Sequence, residues 1–318
     1  MINGNIEKLL LNSNSVAIFF HTNPDGDAIG SGIGLKEGLE QLGKKVEIFS
    51  ESPIPKEFYY LNPSCISRNY NTKDNFELAV VLDCPEVNRI GKMTAVFNNC
   101  KQSLNIDHHL NNSNLWTEKI CEPSSSATCQ LVFELLIDLG VKITSNIARA
   151  LYTGLATDTG CFMFNLNEKT HLIANDLIKY FDDVENVNYI QFRSKTFNEC
   201  KLYGEALKKL ELALNKRIAI TDIGLKDFER TNTTIEDTTS IVFHLSGISG
   251  VDIICVMCEE KLGQYKISFR SLKTDVCELA KLFGGGGHKY ASGCKIYGTR
   301  NTVKNKILSV VEKYLCTE

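Results

Sequence analysis

Apolar residues fall into short runs separated by longer stretches of helical spacing. Residues 16–20 (VAIFF) and 78–82 (LAVVL) contain no polar position. Runs of this length without alternation read as strands buried on both faces. Residues 45–49 and the shorter 104–106 read as two further strands. Between and after them, helical spacing covers 27–42, 126–139, 145–157 and 167–180, with Gly43 and Gly140 as stops for the first two. Alternating strands and helices predict an α/β domain, a mainly parallel sheet with helices on both faces.

The pattern changes near residue 182. Residues 182–188 are polar and acidic. Over 187–214 the spacing of Ile190, Phe192, Phe197, Leu202, Leu207 and Leu210 predicts one long connecting helix or two shorter ones. Strands are then expected at 217–221, 251–258, 265–270 and 294–297, with helices at 238–245, 276–283 and 303–315. This half reads as a smaller, separate α+β domain. There is no internal repeat and no low-complexity tract.

Composition changes this picture little. The chain has 318 residues, 43% of them hydrophobic and 23% charged, as expected of a soluble two-domain protein. A net charge of −3 provides no basic face for long or duplex nucleic acid, so an anionic ligand must be drawn by local charge. No apolar run reaches the ~18 residues of a membrane span, and the start lacks the features of a signal peptide. The 12 cysteines are scattered, which fits reduced thiols in a cytoplasmic protein. One CxxC pair, Cys255 and Cys258, lies in an apolar strand. Residues three apart on a strand face opposite sides, so buried thiols are the better reading than a metal clasp.

The candidate chemistry sits at strand ends. His21, Asp25 and Asp27 follow the first strand within seven positions, and Pro24 keeps Asn23 out of the right-handed helical region, so this segment is expected to be extended. The bland alternative is a strand–loop–helix turn with Asp27 as the helix cap. Asp83 follows the 78–82 strand directly, and Asp107-His108-His109 follows 104–106. Asp158 lies just past the helix 145–157. His21, Asp25, Asp27, Asp83, His108 and Asp158 are more ligands than one ion needs. They suit two divalent ions sharing a carboxylate, an arrangement that hydrolyses phosphoesters. Imidazole and carboxylate donors favour a metal such as manganese over thiophilic zinc. His171 and His244 lack acidic partners and read as structural, while Trp116, Tyr152 and Phe164 read equally well as base-stacking or core residues. In the C-terminal half, Gly284–Gly287 expose bare backbone N–H groups beside His288, with Arg270 at a strand end. By itself such a run is a flexible turn; joined to His288 and Arg270 it reads as a phosphate pocket.

Five stretches in order, HTNPDGDAIGSG, LDCPE, NIDHH, YTGLATDTGCF and FGGGGHKYASG, resemble the motif series of the DHH phosphoesterase family. The resemblance covers nearly the whole chain. It implies a catalytic metal-binding domain over 1–185, a helical linker over 186–212 and a DHH-associated substrate-binding domain over 213–318. It also implies two manganese ions, one held by His21, Asp25 and Asp83 and the other by Asp27, Asp83, His108 and Asp158. His109 would contact the scissile phosphate, and Asp107 would orient the neighbouring imidazole. Arg270, Gly285, Gly286, Gly287 and His288 would grip the far end of the substrate. The compact length is similar to the branch that degrades short RNA oligonucleotides and dephosphorylates 3′-phosphoadenosine 5′-phosphate (pAp). For that branch the expected substrates are pAp and RNA of two to five nucleotides, with no membrane partner and with a homodimer left open. The alternatives are a phosphodiesterase for linear or cyclic dinucleotides such as pApA, and a nucleotide-binding sensor that does not cleave.

Overall fold

The computed structural model describes residues 4–71, 73–110 and 113–316, apart from the side chains of Thr239, Ser240 and His288. Two units are present, Met1–Ser194 and Lys195–Glu318. The first begins with α1 (Gly4–Asn12), β1 (Ser15–Phe20), α2 (Gly26–Gln41), β2 (Lys45–Phe49), β3 (Ile66–Ser67) and β4 (Leu78–Leu82). It continues through α3 (Thr94–Phe97), β5 (Gln102–Asp107) and β6 (Glu118–Cys121) to the helices α4 (Thr128–Asp138), α5 (Ser145–Asp158), α6 (Glu168–Leu177) and α7 (Val184–Asn188).

Its six strands lie in the order β3-β2-β1-β4-β5-β6, and every pair is parallel. The order reverses between β1 and β4. In sheets of this kind a crevice opens at such a reversal, beyond the carboxyl ends of the strands. Period-two alternation sorts the strand residues between two cores. Ile18 and Phe20 of β1 and Val80 and Leu82 of β4 pack with Ile29 of α2 and Leu151 of α5. Phe19, Phe49 and Val81 face the other way, onto Met93, Val96 and Trp116. Helix α2 is buried on nearly every side. A Cβ at Gly30 would strike the Ala150 carbonyl of α5, and one at Gly34 would strike Leu151, so these glycines let two helices approach closely.

One detail of the first unit differs from what the sequence predicts. Asn23 is not extended but left-handed, with φ +55°. Pro24 excludes the right-handed region for its predecessor, and Asn is one of the few residues that tolerates the left-handed one. The stretch 187–214 takes the second of its two expected forms, two helical segments. Helix α7 runs on as a π-helical turn, Tyr189–Arg193, and Thr196 with Glu199 forms a capping box that starts α8 (Phe197–Lys208). Val187 belongs to the core of the first unit, and Leu202 and Ala206 belong to a core of the second.

After α8, the second unit contains β7 (Glu211–Ala213), β8 (Ile218–Ile223), α9 (Leu225–Thr231), α10 (Thr239–Leu245), β9 (Ile253–Lys261) and β10 (Gln264–Arg270). It ends with α11 (Val276–Lys281), β11 (Gly286–His288), β12 (Ala291–Tyr297) and α12 (Arg300–Leu315). The sheet order is β11-β12-β10-β9-β8-β7, antiparallel except for the β8–β9 pair. One face packs on α11 and α12, the other on α8, α9 and α10. Cys255 lies in the first of these cores and Cys258 in the second, so the CxxC pair is split across the sheet. All 12 cysteines are free thiols. The glycine run departs from its reading as a loop. Gly286 to His288 form an edge strand on β12, because backbone pairing requires no side chain.

Candidate active site

The carboxyl ends of three adjacent strands deliver the first candidate ligands. His21 follows β1, Asp83 follows β4, and Asp107 is the last residue of β5, with His108 and His109 beyond it. Asp25 is the N-cap of α2; its Oδ1 accepts the Asp27 and Ala28 N–H groups at 3.1 Å each. Asp27 lies in the first turn of α2, and Asp158 is the last residue of α5. Three overlapping groups result: His21, Asp25 and Asp83; Asp27, His108 and Asp158; and Asp83, His108 and His109. Within each, the potential ligand atoms lie within 4.8 Å of one another.

Asp83 faces the imidazoles of His21 and His108, with His109 Nδ1 also 3.6 Å from its Oδ1. Its Oδ2 is 3.4 Å from His21 Nε2, and its Oδ1 is 3.6 Å from His108 Nε2. Asp25 Oδ2 lies 3.9 Å from His21 Nε2, and Asp158 Oδ2 lies 3.5 Å from His108 Nε2. Both rings turn Nδ1 toward a backbone carbonyl, His21 to Thr22 at 2.9 Å and His108 to Ser125 at 3.2 Å. Assigning the ring proton to Nδ1 leaves each Nε2 lone pair aimed at the carboxylates, as a metal-binding histidine requires.

Asp27 is held by another helix. Its Oδ2 accepts the Thr128 N–H at 2.6 Å, and its Oδ1 accepts the Cys129 N–H at 2.8 Å. These are orphan donors at the start of α4, which has no side-chain cap of its own. The Thr128 hydroxyl donates to Asp83 Oδ1 at 3.3 Å, so one residue touches both carboxylates. Ser125, Thr128 and Cys129 were absent from the sequence reading. Their only signal is a hydroxyl-rich run, SSSAT, ahead of an apolar helix.

His109 is fixed by Asp107, whose Oδ1 accepts from its ring Nδ1 at 2.6 Å and from its backbone N–H at 3.2 Å. Burial pushes the Asp107 carboxyl up, but the hydrogen bond and charge of His109 outweigh it and leave the pKa below the ordinary value. Asp27, Asp83 and Asp158 move the opposite way. Burial raises Asp27, and burial with the charges of Asp27 and Asp25 raises Asp83 well above the usual range. Asp158 is pushed up to about 8 by burial. For His108, burial lowers the pKa but Asp158, Asp27 and Asp83 overcome it and raise it to about 9. Asp158 Oδ2 is buried and accepts no hydrogen bond among the described residues. Crowded, desolvated carboxylates with inward-facing imidazoles fit divalent cations. The nearby thiol of Cys129 donates to the Asp27 carbonyl, burial raises its pKa well above the ordinary value, and it belongs to none of the three groups.

The second unit carries a groove of about 670 Å³ lined by Arg270 and Gly284–Gly287. Gly284 and Gly287 have positive φ, and a Cβ on Gly285 or Gly287 would strike β12. Gly286 is different: its φ is ordinary and a Cβ there would meet open space. His288 pairs with Ala291 through its backbone, but its side chain lies outside the described residues. Trp116 and Tyr152 are core residues, and Phe164 is half-buried in the loop after α5.

A parallel sheet with acids and imidazoles at its crevice, followed by a mixed-sheet domain with a glycine-edged groove, has direct counterparts among known proteins. Residues 15–155 match the DHH family, N-terminal domain, and residues 215–316 match the DHHA1 domain. The chain belongs to the DHH family of phosphoesterases. It is 30% identical over 311 residues to a bifunctional oligoribonuclease and PAP phosphatase of Bacillus subtilis (strain 168), covering 96% of this chain and 95% of that protein. The enzyme of the same name from Thermus thermophilus is 29% identical over 89% of this chain and 84% of its own length. Among solved structures, an exopolyphosphatase-related protein from Bacteroides fragilis superposes with a TM-score of 0.92 at 26% identity, covering 99% of this chain and 97% of that one.

Proposed function

We infer that this protein is a manganese-dependent phosphoesterase that hydrolyses short oligoribonucleotides to mononucleotides and removes the 3′-phosphate of pAp. The observation that carries the reading is Asp83, which turns one oxygen to each of two imidazole–carboxylate groups. The near full-length similarity to a bifunctional oligoribonuclease and PAP phosphatase supplies the substrate class. His21, Asp25 and Asp83 would hold one ion, and Asp27, Asp83, His108 and Asp158 the other. When bound, such ions acidify water and neutralise charge on a phosphoryl group. The chain's own contribution is positional. Helix α4 holds both oxygens of Asp27, and Ser125 orients the His108 ring. Asp107 fixes the His109 ring, which would contact the scissile phosphate. Arg270, Gly285 to Gly287 and His288 serve as the grip on a nucleotide's anionic end.

The test is a substrate panel run with manganese, magnesium and zinc after chelation. It contains pAp, pApA, a cyclic dinucleotide, RNA of two to five nucleotides and a long RNA. Turnover of pAp and of two- to five-nucleotide RNA, best with manganese, is expected. Turnover confined to dinucleotides would replace this reading with a dinucleotide phosphodiesterase. Nucleotide binding without any turnover would replace it with a sensor.

A further inference from the structure

From Lys266 to Arg270, every second residue of β10 lines the groove of the second unit. Lys266, Ser268 and Arg270 stand opposite Lys295, Gly293 and Ala291 of β12, and all six line the same groove of about 670 Å³. The alternate residues Tyr265, Ile267 and Phe269 are buried on the far side. The open face is thus a track with a guanidinium at one end, a small-residue floor, and two ammonium groups at the other. Four residues of strand separate Arg270 from Lys266, roughly 13 Å at ~3.3 Å per residue.

Two lysines directly opposite on one face of a sheet repel each other. Packing offers no reason for them, since both are exposed. Lys295 pairs with Glu260 at 2.8 Å, an exposed ion pair of small net value that an anion can displace. The Lys266 side chain makes no hydrogen bond or ion pair among the described residues; Glu236 is near enough to feel its charge. The placement makes sense if a negative group lies between the two.

We propose that Lys266 and Lys295 form a second phosphate subsite, for a backbone phosphate of an oligonucleotide whose terminal anionic group is held at Arg270. This rests on the oligoribonuclease reading above and adds a determinant of substrate length. A mononucleotide gripped at Arg270 does not extend to the lysines; a longer chain does. The subsite therefore favours oligonucleotides over pAp, a preference that Arg270 and the glycines cannot supply by themselves.

The experiment compares the full-length protein with Lys266→Ala/Lys295→Ala and with Lys266→Arg/Lys295→Arg. Kinetics are measured on pAp and a tetraribonucleotide with manganese at several salt concentrations, with melting curves as a check on folding. In the alanine variant the ratio of kcat/KM for the tetranucleotide to that for pAp should fall roughly fivefold or more, through KM. The slope of log KM against log salt for the tetranucleotide should flatten by about 0.7 for each lysine that meets a phosphate. The arginine variant, which keeps the charge, should retain the ratio. An unchanged ratio and slope in the alanine variant, with RNA hydrolysis intact in the unaltered protein, would overturn the subsite alone. If the unaltered protein hydrolysed pAp but no RNA, both the subsite and the oligoribonuclease reading would fall.

Discussion

Asp83 combines a strained backbone with an unfavourable charge. Its φ is +51°, a left-handed value uncommon outside glycine but tolerated by Asp and Asn. Burial of its carboxylate, and after that the charges of Asp27 and Asp25, push its pKa well up. Backbone strain at an over-determined position is a mark of a functional site. The two features can be separated by substitution. Asp83→Asn keeps both the volume and the tolerance for the left-handed region but removes the charge. Hydrolysis should drop to the detection limit, and metal content measured by atomic emission should fall. Because the folded-state pKa is raised, the ionised Asp83 destabilises the chelator-stripped fold above the ordinary carboxylate range. At pH 7 the stripped Asn variant should therefore melt higher than the stripped parent. Asp83→Ala lacks the Asn side chain's local hydrogen bonding and should melt lower than Asp83→Asn by about 1 kcal/mol in stability. Full activity or full metal loading in Asp83→Asn would remove Asp83 from its sharing role.

At the scale of elements, the glycine segment shows how one residue type serves two ends. Gly285 and Gly287 are required by the close approach of β12, and Gly287 also by its φ of +142°. Gly286 has no such requirement, yet it lines the groove. Gly285→Ala should then lose about 1–3 kcal/mol of stability through overpacking. Gly286→Ala should be neutral or gain up to ~1 kcal/mol, because its backbone is already compatible with a side chain. In nucleotide binding the second variant should still be impaired, since the new methyl enters the groove. Denaturant melts and a nucleotide titration of both variants decide the matter; a destabilised Gly286→Ala would show that the fold needs this glycine too. The sequence alone could not make this distinction. Four identical residues carry no period, and edge-strand pairing leaves no hydrophobic alternation to detect. The strands β1 and β4 were legible because their apolar runs are uninterrupted, and the acids directly after them were legible for the same reason. Thr128 and Cys129 were not, because they hold Asp27 through backbone N–H groups that every residue type has. Helix α1 and the edge strand β6 are short and partly exposed, so each shows too few apolar positions to establish a period.

On the scale of the whole molecule, each unit has its own cores, and the acid–imidazole cluster belongs to the first unit alone. A ligand that binds only the folded state stabilises whatever unfolds with its site. Metal bound at a hundred times its dissociation constant contributes about 2.7 kcal/mol. For a unit the size of Met1–Ser194, that amounts to a rise of roughly 5–10 °C in melting temperature. The three ligand groups found among the described residues all lie outside the second unit, whose groove, on the proposed function, would respond to nucleotide instead. Calorimetry of the full chain should therefore resolve two transitions after chelation. Manganese should move one of them upward and leave the other in place, while a nucleotide added without metal should move only the second. Asp83→Asn should abolish the manganese shift and spare the nucleotide shift. A single transition that moves as a whole with either ligand would show that the two units unfold as one cooperative body. Two transitions that both ignore manganese would show that the cluster binds no metal in the folded protein, and with that the phosphoesterase reading would lose its centre.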